Sequence, residues 1–143
     1  MATTGRCLCG AVRFSFAGPP LAKRACWCRD CQYLSSGNAS INVIFATAGF
    51  TVAGDLGEYR STADSGHAMR RRFCRSCGTP LFSEDLGEPA YMVVRAGALD
   101  DPAIGRPEGT IWTASAPPWG HVDPDLPNSP RQRPGAPASP TPR

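Results

Sequence analysis

Seven cysteines sort into three short groups, Cys7-x-Cys9, Cys26-x-Cys28-x-x-Cys31 and Cys74-x-x-Cys77, and none lies outside them. Cysteines scattered through an apolar core would not cluster in this way. Zinc takes four ligands in a tetrahedron, and short Cys spacings suit it because one turn brings two sulfurs to one ion. A Cys-x-Cys on a strand also serves, since residues i and i+2 share a face. Gly10 follows Cys9 and Gly78 follows Cys77. A glycine there permits positive φ and lets the turn aim N–H groups at the sulfurs.

Seven ligands divide as four plus three. Four thiolates close a structural site with formal charge −2, whereas three leave one zinc position open and carry −1, the catalytic pattern. Spacing leaves two partitions. Cys28, Cys31, Cys74 and Cys77 would form a two-knuckle site, leaving Cys7, Cys9 and Cys26. Alternatively Cys7, Cys9, Cys74 and Cys77 form the closed site, and Cys26, Cys28 and Cys31 the open one. The plainer competitor is one zinc with three free or redox-active thiols.

The rest of the sequence predicts a mainly β fold. Leu8, Val12, Phe14 and Phe16 alternate with polar residues and cysteines, as on a strand with one apolar face. Gly18-Pro19-Pro20 ends that segment. Further strands are predicted at Ile41 to Phe45, Phe50 to Val52, Tyr59 to Thr62, Met69 to Phe73, Pro80 to Ser83, Tyr91 to Ala96 and Thr110 to Thr113. Ala63 to Gly66 is expected as a turn, and no stretch sustains a 3.6-residue period. A chain of 143 residues fits one domain with a core of its own. Residues 1–127 are expected to form it. From Asn128 to Arg143 the sequence is Pro-rich, has no aliphatic residue larger than alanine, and is expected to be a disordered tail.

Three of the fifteen Lys/Arg residues, Arg131, Arg133 and Arg143, lie in that tail, and all twelve acidic residues precede it. Residues 1–127 are therefore formally neutral, and bound zinc thiolates would make them acidic. Nucleic-acid binding rests on phosphate neutralisation, so no nucleic-acid partner is expected. The first residues carry no apolar run of signal length, and no stretch approaches the ~18 apolar residues that span a bilayer. A soluble, cytoplasmic protein without a membrane partner is expected. In a reducing compartment, clustered cysteines favour metal over disulfides.

Three segments together resemble a known family: Cys7-Leu8-Cys9-Gly10-Ala11-Val12-Arg13-Phe14, the Cys26/Cys28/Cys31 triplet, and Arg72-Phe73-Cys74-x-x-Cys77-Gly78-Thr79-Pro80-Leu81. They are similar to the glutathione-dependent formaldehyde-activating enzymes, a family that includes centromere protein V. Trp119 and Leu126-Pro127 resemble the family's ending. The resemblance implies an Mss4-like fold with two Zn²⁺ ions per chain. It implies a structural zinc on Cys7, Cys9, Cys74 and Cys77, and a catalytic zinc on Cys26, Cys28 and Cys31. It also implies a carbon–sulfur lyase acting on a small thiol adduct such as S-hydroxymethylglutathione. Trp27 departs from the pattern, because relatives often carry His between the first two triplet cysteines.

Candidates for proton transfer or substrate contact are fewer. His67 and His121 are the two histidines, each expected at the surface. Asp30 and Arg29 lie in the triplet loop and are expected as solvated charges or supports for the ligands. Arg70-Arg71-Arg72 would attract the carboxylates of a glutathione-like molecule, although alternation on a strand exposes some of them in any case. Trp27 and Trp112 are expected in the core, with a pocket wall as the alternative. Besides the enzyme, two other classes fit the ligands: a zinc-stabilised interaction module, and a labile zinc or thiol redox site.

Overall fold

Phe14 and Phe16 organise the larger core. In the computed structural model, which describes residues 2–132, β1 (Thr3–Arg6) and β2 (Arg13–Phe16) pair antiparallel, and β5 (Thr51–Ala53) extends them to three strands. Phe16 stacks on Phe45 with ring centroids 4.3 Å apart, and Phe14 meets Phe82 edge-on at 5.0 Å. These contacts seat the small sheet on a larger one. Val12, Val43, Leu81, Met92 and Val94 fill the space around the rings.

The larger sheet has seven strands. Its members are β3 (Ala22–Cys26), β4 (Ser40–Ala46), β6 (Leu56–Thr62), β7 (Ala68–Cys74), β8 (Pro80–Asp85), β9 (Tyr91–Arg95) and β10 (Thr110–Ile111). Their order is β10-β3-β4-β9-β8-β7-β6, antiparallel except where β10 runs parallel to β3. Val43, Phe45, Phe82 and Val94 point to the phenylalanine core. The register places Arg71 opposite Ser83, Ser83 opposite Val93, and Val93 opposite Ile44. Asn42 likewise stands opposite Arg95, and Cys26 opposite Ser40. Directly opposed residues share a face, so these side chains line the other face of the sheet.

A short helix, α1 (Arg29–Leu34), follows the triplet's second cysteine. Its six residues are too few to show a helical period in the sequence. Two strands were also missed. β3 reads Ala-Lys-Arg-Ala-Cys, which lacks strand composition and is held by its neighbours on both sides. β1 reads Thr-Thr-Gly-Arg. The expected strand through Leu8 does not form. Residues 7–12 make a turn, and Leu8 is 81% exposed, whereas Val12, Phe14 and Phe16 are buried as the alternation predicts. The remaining strands lie close to their expected places.

Asn128 to Gln132, assigned to the tail by composition, run beside β10. Asn128 bridges Thr110, and the N–H of Trp112 donates to the Arg131 carbonyl at 3.0 Å. Backbone pairing holds this segment, so it needs no large side chains. The rest of the expected tail, 133–143, lies outside the described residues. Among the described residues, no helix is long and apolar enough to cross a membrane.

Candidate metal centres

The seven sulfurs gather as four and three. Those of Cys7, Cys9, Cys74 and Cys77 lie within 4.8 Å of one another, as do those of Cys26, Cys28 and Cys31. Cys28 and Cys31 do not join Cys74 and Cys77, so the first partition is not the one the fold assembles. Each group could hold a metal ion.

The four-sulfur group joins two hairpin turns. In the first, Cys7 ends β1's side of the turn, its N–H donates to the Val12 carbonyl at 3.1 Å, and the Gly10 N–H returns to the Cys7 carbonyl. In the second, the Cys74 N–H donates to the Thr79 carbonyl at 3.0 Å, and the Gly78 N–H to the Cys74 carbonyl. Gly10 and Gly78 have φ of +80° and +77°, the left-handed turn expected from their place after a cysteine. This turning aims donors at sulfur. The Val12 N–H lies 3.3 Å from Cys7 Sγ, and the Cys77 N–H 3.5 Å from Cys74 Sγ. Thr79 ties the turns together. Its hydroxyl oxygen accepts from the Leu8 N–H at 3.0 Å and lies 3.1 Å from Cys77 Sγ. That hydroxyl contact, with the N–H groups of Cys9 and Thr79, draws the Cys77 thiol down to about 5.

Two observations test this group against zinc. A ZnS4 tetrahedron with Zn–S of ~2.3 Å has edges of about 3.8 Å. Cys7 Sγ lies 3.6 Å from Cys9 Sγ, and Cys9 Sγ 3.9 Å from Cys74 Sγ. Charge agrees. Arg6 and Arg13 sit directly opposite each other across β1 and β2, an arrangement that normally repels. Both guanidinium groups hang over Gly10, where a Cβ would lie 3.1 Å from Arg6 Nη1 and 3.5 Å from Arg13 Nη2. Metal-bound thiolates in the adjoining Cys7–Gly10 turn would offset that repulsion.

The first turn also depends on Gly54, between β5 and β6. Its φ is +114°, and a Cβ there would stand 2.3 Å from the Ala11 carbonyl oxygen and 2.8 Å from Val12 Cα. Both obstacles are backbone and have no rotamer to yield. Gly54→Ala is expected to cost roughly 3–5 kcal/mol through combined strain and clash. It is also expected to loosen metal binding by displacing the Cys7–Val12 turn. Thermal unfolding and metal titration of the variant check both effects; an unshifted midpoint refutes this account of the turn.

The triplet is deeper. Cys26, Cys28 and Cys31 are 0, 6 and 4% exposed. Cys26 ends β3, Cys28 is the N-cap of α1, and its sulfur accepts from the Cys31 N–H at 3.3 Å. α1 thus rests over the sheet face that carries Asn42 and Arg95. The Asn42 amide lies 4.0 Å from Cys31 Sγ. Arg95 fixes that amide by donating to Asn42 Oδ1 and, at 2.8 Å, to Ser40 Oγ. Hydrogen bonds from Cys26 and Cys28 hold the Cys31 thiol well below its ordinary range against burial, and the Arg95 charge and the Asn42 amide add to this. Three buried sulfurs within 4.8 Å of one another suit a soft divalent cation.

The other candidates are spread over both faces of the larger sheet and its surroundings. Arg71 pairs with Asp30 of the triplet loop, Nη2 to Oδ2 at 3.2 Å, and donates to Ser61 Oγ at 2.6 Å. Arg70 and Arg72 point to the opposite face and share Glu84, the Arg72 contact being 2.5 Å. The run therefore splits by strand alternation, and only Arg71 reaches the triplet's side. Arg29 bonds Gln32 and lies over the Tyr33 ring. His67 sits 2.6 Å from buried Asp85 and belongs to neither sulfur group. His121 is exposed and lines a cavity of about 540 Å³ with Trp27, Arg106 and Asp123. Trp27 is buried against Trp119 and Gly120 and forms one wall of that cavity. Trp112 is buried beside the triplet and donates to Gln132 Oε1 at 3.0 Å. Asn42, Ser40, Arg95 and Thr79 were not singled out from sequence. Asn42 had a readable signal, being a polar residue inside the apolar run Ile41 to Phe45.

Comparison with known proteins places this arrangement. The family model described as glutathione-dependent formaldehyde-activating enzyme matches residues 2–115. Among solved structures, a Rhodobacter sphaeroides protein determined as a structural-genomics target is similar in fold, with a TM-score of 0.54 and 22% identity. That match covers 68% of this chain and 87% of the other. No curated protein matches the chain.

Proposed function

Since this chain belongs to the glutathione-dependent formaldehyde-activating enzyme family, we propose that it is a zinc-dependent carbon–sulfur lyase. Its substrate would be a small thiol–aldehyde adduct such as S-hydroxymethylglutathione. In this reading Cys7, Cys9, Cys74 and Cys77 hold a structural zinc, and Cys26, Cys28 and Cys31 hold the catalytic one. The observation that carries it is the triplet itself, three buried sulfurs within 4.8 Å of one another. Such a set leaves a fourth coordination position for substrate.

Bound there, zinc supplies a Lewis acid and a place where a thiol gives up its proton. The protein does the remaining work. Burial of the triplet excludes water, which strengthens every charge interaction at the site. The Arg95–Asn42 pair orients the Cys31 sulfur. Asp30 holds Arg71 against the triplet loop. The substrate pool would be cytoplasmic thiols, glutathione being the reference compound.

The test is metal analysis of protein purified without added metal or chelator, together with native thiol titration and an assay for formaldehyde release from S-hydroxymethylglutathione. Two zincs per chain, almost no reactive thiol and measurable turnover are expected. One zinc with about three reactive thiols would replace the lyase with a redox site. Two zincs without turnover on any thiol–aldehyde adduct would leave a zinc-stabilised interaction module.

A further inference from the structure

Beside Cys31 lies a cavity of about 10 Å³, lined by Cys31, Asn42, Ser83, Arg71 and Arg95. That volume admits about one oxygen-sized group. Met69 and Val93 complete its walls, and the polar side carries two positive charges. Ser83 and Asn42 are both buried. The Arg95 guanidinium is held by Ser40 and Asn42, and the Arg71 guanidinium by Asp30 and Ser61. Two fixed cations thus meet at one small space next to a triplet sulfur. Arg71 Nε is buried and meets no acceptor among the described residues. A buried N–H without an acceptor costs roughly 1–3 kcal/mol, and an oxygen placed in the cavity would relieve that cost.

We propose that this cavity is the subsite for the aldehyde oxygen, and that Arg71 is the catalytic residue that stabilises the charge this oxygen acquires. The inference rests on the lyase reading. When the thiolate sulfur adds to the aldehyde, its lone pair forms the C–S bond and the C=O π pair moves onto oxygen. The resulting alkoxide is met by Arg71 and Arg95 and then takes a proton from water, giving the hydroxymethyl thioether. In reverse, the hydroxyl returns its proton to hydroxide, giving water, the C=O bond reforms and the thiolate leaves with the C–S electron pair. The cavity has room for about one oxygen, which is what the aldehyde presents.

The experiment uses zinc-loaded protein and formate, which can place a single oxygen in the cavity as formaldehyde would. Calorimetric titration is expected to show one formate per chain. Arg71→Met should weaken binding tenfold or more, Arg71→Lys should retain part of it, and Arg72→Met, on the opposite face, should match the wild type. Arg71 is largely buried, so metal content and melting point accompany each variant, and Arg71→Lys decides the matter if Arg71→Met does not fold. With S-hydroxymethylglutathione, Arg71→Lys should lower kcat on the order of 100-fold with little change in KM. A raised KM at unchanged kcat would instead mark Arg71 as a carboxylate anchor and overturn the proposal. Formate affinity independent of Arg71, or no binding to the wild type, also overturns it. Formate binding is read without turnover. An inactive chain that still binds formate through Arg71 contradicts the lyase and leaves the subsite standing.

Discussion

Replacing Cys74 with serine is expected to remove one metal ion per chain and to abolish cooperative unfolding. Cys74 is fully buried, packs in the phenylalanine core, and supplies a sulfur to the four-cysteine group. Serine keeps the shape and still accepts the Cys77 N–H, so the change isolates the loss of a thiolate. Structural zinc contributes ~10–16 kcal/mol of apparent binding free energy. Net domain stability is only ~5–15 kcal/mol. Losing the site therefore cancels most or all of the fold's margin. Both sheets should suffer, because this group ties the β1–β2 hairpin to the β7–β8 hairpin. Elemental analysis and a circular-dichroism melt check the result. A variant that keeps two metals and melts near the wild-type temperature would remove the structural role assigned to these sulfurs.

Cys28→Ser is expected to behave in the opposite way, losing activity while keeping the fold. Cys28 is both a triplet sulfur and the N-cap of α1, accepting the Cys31 N–H. Alanine would remove both roles. Serine is a favoured N-cap residue, so it preserves the helix start and removes only the thiolate. The triplet should then lose its metal and the protein retain one zinc per chain. A Lewis acid contributes several kcal/mol to the transition state, and each 1.36 kcal/mol is tenfold in rate. Turnover of S-hydroxymethylglutathione should therefore fall by roughly 1,000-fold or more, with the melting point shifted by only a few degrees. Unchanged turnover would sink the assignment of the triplet as the reacting centre. The contrast between the two variants is the sharper result, since one group joins two sheets and the other sits on the face of one.

Much of the candidate site was legible because it is local. The triplet spans six residues, and each knuckle closes a hairpin through bonds to residues a few positions away. Gly10 and Gly78 carry the positive φ that their place after a cysteine requires. The β class was legible from alternation at Val12, Phe14 and Phe16, where one apolar face needs no knowledge of its partner. Alternation failed at Leu8, where the knuckle's own hydrogen bonds override strand pairing. Asn128 to Gln132 pair beside β10 through their backbone, although their composition offers little to bury. Composition reports what side chains can bury, and this segment is held by its backbone.

Ligand types, their grouping in the chain and the glycines that turn them were thus determined by the sequence alone, through bonds between near neighbours. Which groups meet was decided by tertiary structure. Cys9 and Cys74 lie 65 positions apart, and spacing permitted two partitions until the hairpins were docked. The same holds for Arg71 and Asp30, 41 positions apart. One arginine of a run of three was selected by strand register and by where α1 crosses the sheet. β3 makes the point for the fold: its own residues favour no strand, yet β4 and β10 hold it in place. Such contacts depend on sheet order and on the closure of long loops, which the residues between them do not encode.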